Sequence, residues 1–544
     1  MYIDGKVWIG NNDQGERISI IPKMVNRHGL VAGATGTGKT VTLKVMAETF
    51  SDMGIPVFMA DVKGDIAGMM NPGTDSEDMQ KRIEKFNLTD AGFAYKGYPV
   101  TLWDIYGVKG IQLRTTISEM GPMLLARILD LNDLQSDILT IIFKIADDRK
   151  WFLIDTKDLK SVLNYVSDHR GLFEGEYGKM SPASISTIVR AVVALEAAGG
   201  DVFFGEPALR ISDWLTLGDG GKGIINILDS ESLINNGKMY SAFLLWMLSE
   251  LFETLPEVGD LPKPKMVFFF DEAHLLFNGA PKQLLDKIEQ VVKLIRSKGV
   301  GVYFCTQNPK DIPDGVLAQL GNKVQHGLHA YTPSDQKAVK AAAMSFRANP
   351  AFDTEETLTS LGTGKAVVSF LGEDGVPGMA QKVSVLPPQC SMGSIGDGQR
   401  EQSVKSSLFY SKYAEGYDPE SAYEILMRLG QEEQAREEQA REEQAREEQA
   451  REEQAAAEAA QVKGDARLAR EQAKADEKAA REAEKESAAK NRAIKSVGNS
   501  VLGTIGRAAG RSIGGSVGGS LGRSVGGNLG ASLVRGLLGT FFKR

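Results

Sequence analysis

Apolar positions fall into two rhythms along the chain. Short, nearly unbroken apolar runs recur at residues 30–32, 55–60, 223–228, 266–270, 299–306, 323–328 and 365–371, and each predicts a buried strand, the seventh being the last. Between them the spacing changes. Leu43, Met46, Ala47 and Phe50 recur at three and four residues and mark one face of a helix, while 239–253 reads as a helix apolar enough to be buried. Residues 1–27 alternate short apolar pieces with the turn Gly10-Asn11-Asn12, a strand-rich lead-in too short for a domain of its own. From 111 to 214 the rhythm is helical, as in Met123, Leu124, Ala126 and Ile128. Strands alternating with helices predict an α/β fold with a mostly parallel sheet covered on both faces.

These patterns divide the chain. Residues 1–110 and 215–395 form two parts of one α/β core, interrupted by an all-helical insertion over 111–214 and followed by a linker with a short helix over 396–431. From Glu432 the unit Glu-Glu-Gln-Ala-Arg repeats, opening a charged segment over 432–490. Each copy sets a Glu four residues before an Arg, the favourable orientation on a helix. A five-residue period advances about 500° at about 100° per residue, so like residues spiral around the axis and leave no apolar seam. The expectation is a solvated single helix or a charged linker. Residues 491–544 carry no acid and set Gly506, Gly510, Gly514, Gly518, Gly522, Gly526 and Gly530 in one row beside Ile505, Ile513, Val517 and Leu521. This glycine-zipper-like tail is expected to form a helix only against a partner, either another copy or an anionic membrane surface that its arginines attract.

Composition narrows the picture little. A net charge of −8 over 544 residues gives no overall basic footprint for nucleic acid, although a ring can confine basic residues to its pore. Cys305 and Cys390 lack paired spacing, which suits a reduced, cytoplasmic setting. Residues 243–252 are too short an apolar stretch to span a bilayer.

The chemistry is concentrated in Gly33-Ala34-Thr35-Gly36-Thr37-Gly38-Lys39-Thr40, a G-x-x-x-x-G-K-[ST] loop between a strand and a helix. Backbone N–H groups of such a turn and of the helix N-terminus form a concave anion site that suits the triphosphate of ATP. Lys39 is placed to reach the β- and γ-phosphates, and Thr40 to help hold Mg²⁺. A second strand ends in Asp61-Val62-Lys63-Gly64-Asp65, polar residues at the edge where an open α/β sheet forms its ligand crevice. The strand at 266–270 stops at Asp271 and Glu272, expected to serve as the opposite Mg²⁺ ligand and as general base toward water. Gln307, at the end of another strand, is a candidate sensor of the γ-phosphate. Arg296 and Arg347 are candidates for an arginine supplied across a subunit boundary, while His28, His274, His326 and His329 lack metal-ligand spacing and read as structural.

The stretches HGLVAGATGTGKT, ADVKGD, FFFDEAH and YFCTQNP together resemble the HerA/FtsK superfamily of ATPases, specifically the HerA-like bacterial group of YjgR type, over roughly residues 1 to 390. The resemblance implies a RecA-like core, hexameric rings, ATP hydrolysis at subunit interfaces and, in the best-known members, pumping of double-stranded DNA. It assigns Lys39 and Thr40 to nucleotide and Mg²⁺, Asp271 and Glu272 to hydrolysis and Gln307 to γ-phosphate sensing. HerA proper carries a β-barrel before its ATPase core and works with a nuclease, whereas here the loop begins at residue 33. The DNA-guiding domains of FtsK are likewise unmatched. The expected activity is that of an ATP-driven translocase, with an ATPase tethered to membrane or scaffold through its tail as the alternative.

Overall fold

The run Met266–Phe270 forms a strand buried on both faces, which is why it reads as unbroken methionine, valine and phenylalanine. In this computed structural model, which describes residues 1–277 and 282–494, it lies within a sheet of thirteen strands. In chain order these are β1 (Tyr2–Ile3), β2 (Lys6–Asn12), β3 (Arg17–Ile20), β4 (Gly29–Ala32), β5 (Val57–Asp61), β6 (Val100–Asp104), β7 (Ile111–Gln112), β8 (Ile225–Asp229), β9 (Met266–Phe270), β10 (Val300–Thr306), β11 (Asn322–His326), β12 (Lys365–Ser369) and β13 (Gln381–Val385). The spatial order is β1-β2-β13-β12-β11-β4-β10-β9-β5-β8-β6-β7, with β3 paired to β2. From β11 to β7 every pairing is parallel, and β12, β13, β2, β1 and β3 extend the sheet antiparallel. The fold is α/β, with a mostly parallel sheet.

Alternate residues of the central strands feed two cores. Phe58, Phe268, Phe270 and Phe304 point to one face, where helix Gly237–Thr254 packs Phe243 and Trp246. Val57, Met59, Val267, Phe269 and Tyr303 point to the other, covered by helix Lys39–Asp52 through Leu43, Met46, Ala47 and Phe50. Phe50 stacks on Phe269 with ring centroids 6.1 Å apart.

Between β7 and β8 the chain is helical: Ile117–Ile128, Asp133–Arg149, Thr156–Asp168, Arg170–Tyr177 and Pro182–Leu195. Three of these start at reciprocal capping boxes, Thr116 with Glu119, Asn132 with Gln135 and Asp155 with Asp158. Among the described residues one stretch, Pro182–Phe203, is long and apolar enough to cross a membrane by length and composition. Its Ile185, Ile188, Val192 and Leu195 are buried in the core that the insertion shares with the sheet.

Three strands depart from the expected list, and one of them, β7 (Ile111–Gln112), opens the stretch expected to be all helical. Lys365–Ser369 is not the last, because β13 follows it, and β6 lies within a stretch assigned no strand. β13 reads Gln-Lys-Val-Ser-Val, too polar to look buried although it sits between β12 and β2.

The chain separates into two units, Met1–Arg436 and Glu437–Arg544. The first holds everything described so far. The charged repeat belongs to one helix, Ala422–Ile494, which begins in the first unit and continues into the second, rather than to an irregular linker. Its first turns bury Ala422 and Leu426 in the core, its side chains are exposed from residue 434 through residue 488, and ion pairs such as Arg446–Glu442 (3.7 Å) and Arg481–Glu477 (3.4 Å) join successive turns. The glycine row and the basic positions from Ile505 onward lie outside the described residues.

Candidate functional site

Three neighbouring parallel strands, β4, β10 and β9, end on the same edge of the sheet. Their carboxyl ends carry the phosphate loop, Gln307 and the Asp271–Glu272 pair. Adjacent strands lie about 4.8 Å apart, so the loop and the two acids are separated by two strand spacings, about 10 Å.

The loop turns at Gly33 (φ 153°) and Gly38 (φ 116°) before helix Lys39–Asp52 begins. Gly33 also needs the space: a Cβ there would sit 2.5 Å from the Cβ of His326. Thr35 and Gly36 form the exposed tip, Ala34, Gly38 and Thr40 are half-buried, and Thr37 and Lys39 are buried. Lys39 Nζ donates to the carbonyls of Gly33 (2.7 Å) and Ala34 (3.1 Å), and the Thr37 hydroxyl donates to Ala34 O (2.7 Å). Ala34 N donates to Gly327 O (2.8 Å), which fastens the loop to the end of β11.

His326 is the other fastening. Its Nε2 lies 2.9 Å from the Thr42 hydroxyl and its Nδ1 3.0 Å from Lys365 O, and burial pushes its pKa down to about 4. The ring is therefore neutral at pH 7, and with Nδ1–H donating to the carbonyl, Nε2 accepts from Thr42. Gly364 N donates to Thr37 O (3.0 Å), and a Cβ on Gly364 would lie 3.2 Å from Arg82 Nη1, which brings a guanidinium to the loop's flank.

At the end of β9, Asp271 is buried, and loss of hydration pushes its carboxyl up, partly offset by the Cys305 thiol and the Glu272 N–H (2.9 Å). Glu272 follows with φ 47°, a left-handed backbone uncommon outside glycine. Burial alone would raise its pKa, but Lys63 Nζ at 2.5 Å from Oε1 and Gln307 Nε2 at 3.4 Å from Oε2 hold it below the ordinary value. His274 Nδ1 stands 3.3 Å from Oε2, misaligned for a hydrogen bond.

Lys63 comes from the turn after β5, the strand on the far side of β9. Asp61 builds that turn: its Oδ1 accepts from Lys63 N (3.2 Å) and Gly64 N (2.7 Å), and its Oδ2 from Ile66 N (3.0 Å). Burial, with Asp65 adding repulsion, pushes the Asp61 carboxyl up to about 6.

Of the residues singled out from the sequence, Lys39, Thr40, Asp271, Glu272 and Gln307 share this edge. The two candidate arginines do not. Arg296 precedes β10, a strand of seven residues and about 23 Å from Gln307, and Arg347 is exposed beside the turn joining β12 to β13, with Nη1 3.5 Å from Pro377 O. Lys63, His326 and Arg82 acquire their places only in three dimensions.

The family description "Helicase HerA-like C-terminal" matches residues 6–522. The chain belongs to this HerA-like family. This HerA-like protein is a P-loop ATPase of the HerA/FtsK type. It is 24% identical over 387 residues to the DNA double-strand break repair helicase HerA of Sulfurisphaera tokodaii, covering 68% of this chain and 67% of that one. It is also 24% identical over 372 residues to the protein of the same name from Sulfolobus acidocaldarius, covering 66% and 65%. The HerA-like chain thus spans about two thirds of the length of these relatives. Among solved structures, the bacterial conjugative coupling protein TrwBdeltaN70 aligns with 17% identity and a TM-score of 0.47, covering 69% of this chain and 88% of that one.

Proposed function

We propose that this HerA-like ATPase is a cytoplasmic motor that hydrolyses ATP between neighbouring copies in a ring, hexameric as in the family resemblance, and uses the cycle to move double-stranded DNA. The observation that carries the reading is the meeting of three strand ends: an anion cradle with its lysine, a pair of carboxylates, and a glutamine between them. In this reading the backbone of residues 33–40 and the Lys39 ammonium bind the phosphates. The Thr40 hydroxyl and the Asp271 carboxylate are hard oxygen donors that fit Mg²⁺, which when bound would neutralise charge on the β- and γ-phosphates. Glu272 takes the proton of the attacking water, and Gln307, already bonded to Glu272, contacts the γ-phosphate. Arg296 or Arg347 serves the neighbouring copy's nucleotide; either lies far enough from its own site to do so only in trans.

Residues 1–110 and 215–395 act as the motor core in this scheme, 111–214 as a helical insertion, 396–431 as a linker, 432–490 as a helical spacer and 491–544 as a self-association or membrane contact. The names of the two HerA relatives support DNA as the polymer. The test is ATP turnover by the full chain with linear duplex DNA, single strands, RNA or anionic vesicles. Stimulation by duplex DNA that weakens steeply with salt is expected. Stimulation by vesicles instead, lost when 491–544 are deleted, would replace the motor with a tethering ATPase.

A further inference from the structure

Lys63 reaches Glu272 because three separate devices aim it there. Asp61 braces its turn at three backbone amides, and Gly64 (φ 74°) reverses the chain directly after it. The buried Lys44, from the helix that begins at the phosphate loop, donates to Asp65 O (2.8 Å) in the same turn and to Ser391 O (3.0 Å) beyond it. Across the strand boundary the left-handed backbone of Glu272 turns its carboxylate to meet the ammonium. The lysine side chain is 46% exposed and that of the glutamate 5%, so the contact is made at the rim of the crevice by a group that solvent also reaches.

A glutamate has three rotatable side-chain bonds, and the remaining contacts of Glu272 are too weak to fix them. The Gln307 amide at 3.4 Å is at the limit of a hydrogen bond, and the His274 ring is misaligned. The short, charge-assisted bond to Lys63 is the one that holds Oε1. Oε2 is left toward Gln307 and, through β10, toward the phosphate loop.

We propose that Lys63 is a positioning residue for hydrolysis: it holds Oε1 of Glu272 so that Oε2 is the oxygen presented to the attacking water. The proposal rests on the reading of Glu272 as general base. In the step it serves, the water oxygen forms a bond to the γ-phosphorus while the bond from that phosphorus to the β,γ-bridging oxygen breaks. The electron pair leaves with ADP, and the water proton passes to Oε2. Because Lys44 ties the turn to the phosphate-loop helix, the orientation of the base is linked to the element that holds the nucleotide.

The experiment compares Lys63→Met, Lys63→Arg, Glu272→Gln and the double variant Lys63→Met/Glu272→Gln in the full chain, measuring kcat, KM and the equilibrium affinity for ATP, with single-turnover rates for the slow variants. Misorienting the base by a rotamer is expected to cost about 10- to 100-fold in kcat, with ATP affinity and KM unchanged. Lys63→Arg should recover part of the loss. In the Glu272→Gln background Lys63→Met should cost nothing further, because the group it orients is gone. Wild-type kcat in Lys63→Met alongside an inactive Glu272→Gln overturns this proposal alone. So does a loss in ATP affinity, or an equal loss in both backgrounds, since either makes Lys63 a support of the fold. Wild-type turnover by Glu272→Gln overturns the general-base reading itself.

Discussion

His326 shows how a buried ring that fastens the loop also contributes to the pH dependence of stability. Its pKa falls from 6.5 to about 4 because burial disfavours the cation, and His28, buried at the amino end of β4, falls to the same value. Between pH 6.5 and 4 the unfolded chain binds protons at these rings that the folded chain refuses. Their contribution is therefore complete above pH 6.5 and is lost as pH drops toward 4, by up to about 3 kcal/mol for each ring. Asp61 works in the opposite sense. Its carboxyl, raised to about 6, favours the fold below pH 3.8 and loses that advantage as pH rises through 6. His326→Gln is expected to flatten the fall of Tm between pH 6.5 and 4, and an unchanged slope would show that the ring protonates within the fold. At the loop, Lys39→Ala should abolish ATP binding, read by equilibrium titration. Glu272→Gln should bind ATP as the wild type does and turn over at least a hundredfold more slowly, within the ~10² to 10⁴ that a general base contributes. Lys39 and Glu272 were readable because loop and strand are contiguous in sequence. The pairing of Lys63 with Glu272 spans 209 residues and that of Thr42 with His326 spans 284, so neither leaves a local pattern.

Strands were legible in proportion to how unbroken their apolar runs are. β9 and β10, apolar on both faces, were found within a residue or so of their ends, and helix Lys39–Asp52 was found from the stripe it lays on the sheet. β6 and β13 were not. β6, Val-Thr-Leu-Trp-Asp, breaks its apolar run at Thr101 and Asp104, and β13 alternates polar with apolar, a pattern equally suited to a loop. A helix over 432–490 was one of two expectations for another reason, since Glu, Gln, Ala and Arg all favour helix and i,i+4 pairs need no partner; the helix formed, Ala422–Ile494, begins ten residues earlier, in the expected linker. One weak interior position is Gly464, exposed and with open space around it. Gly464→Ala should stabilise that stretch by roughly 1 kcal/mol, seen as slower amide exchange at the flanking residues. Phe50→Ala, which removes a ring packed on Phe269 and Tyr303, should cost about 3 to 5 kcal/mol in a denaturant titration.

For the molecule as a whole, Met1–Arg436 contains both faces of the sheet, the helical insertion and every residue of the candidate site. A chain ending at Arg436 is expected to unfold in one cooperative step and to bind ATP like the full-length protein; loss of either would show that the second unit is needed for the first to fold. The class of the fold could be read from the alternation of strands and helices, but the place of the opening residues could not. Their strand β2 is paired to β13, contributed by residues 381–385. A ribosome adding roughly 5–20 residues per second needs about 20 to 80 s to travel from one to the other. Throughout that interval the amino-terminal hairpin offers an open backbone edge to any other extended segment nearby. Nascent chains on crowded polysomes, before the enzyme exists in any active form, are where this architecture is most exposed to mispairing.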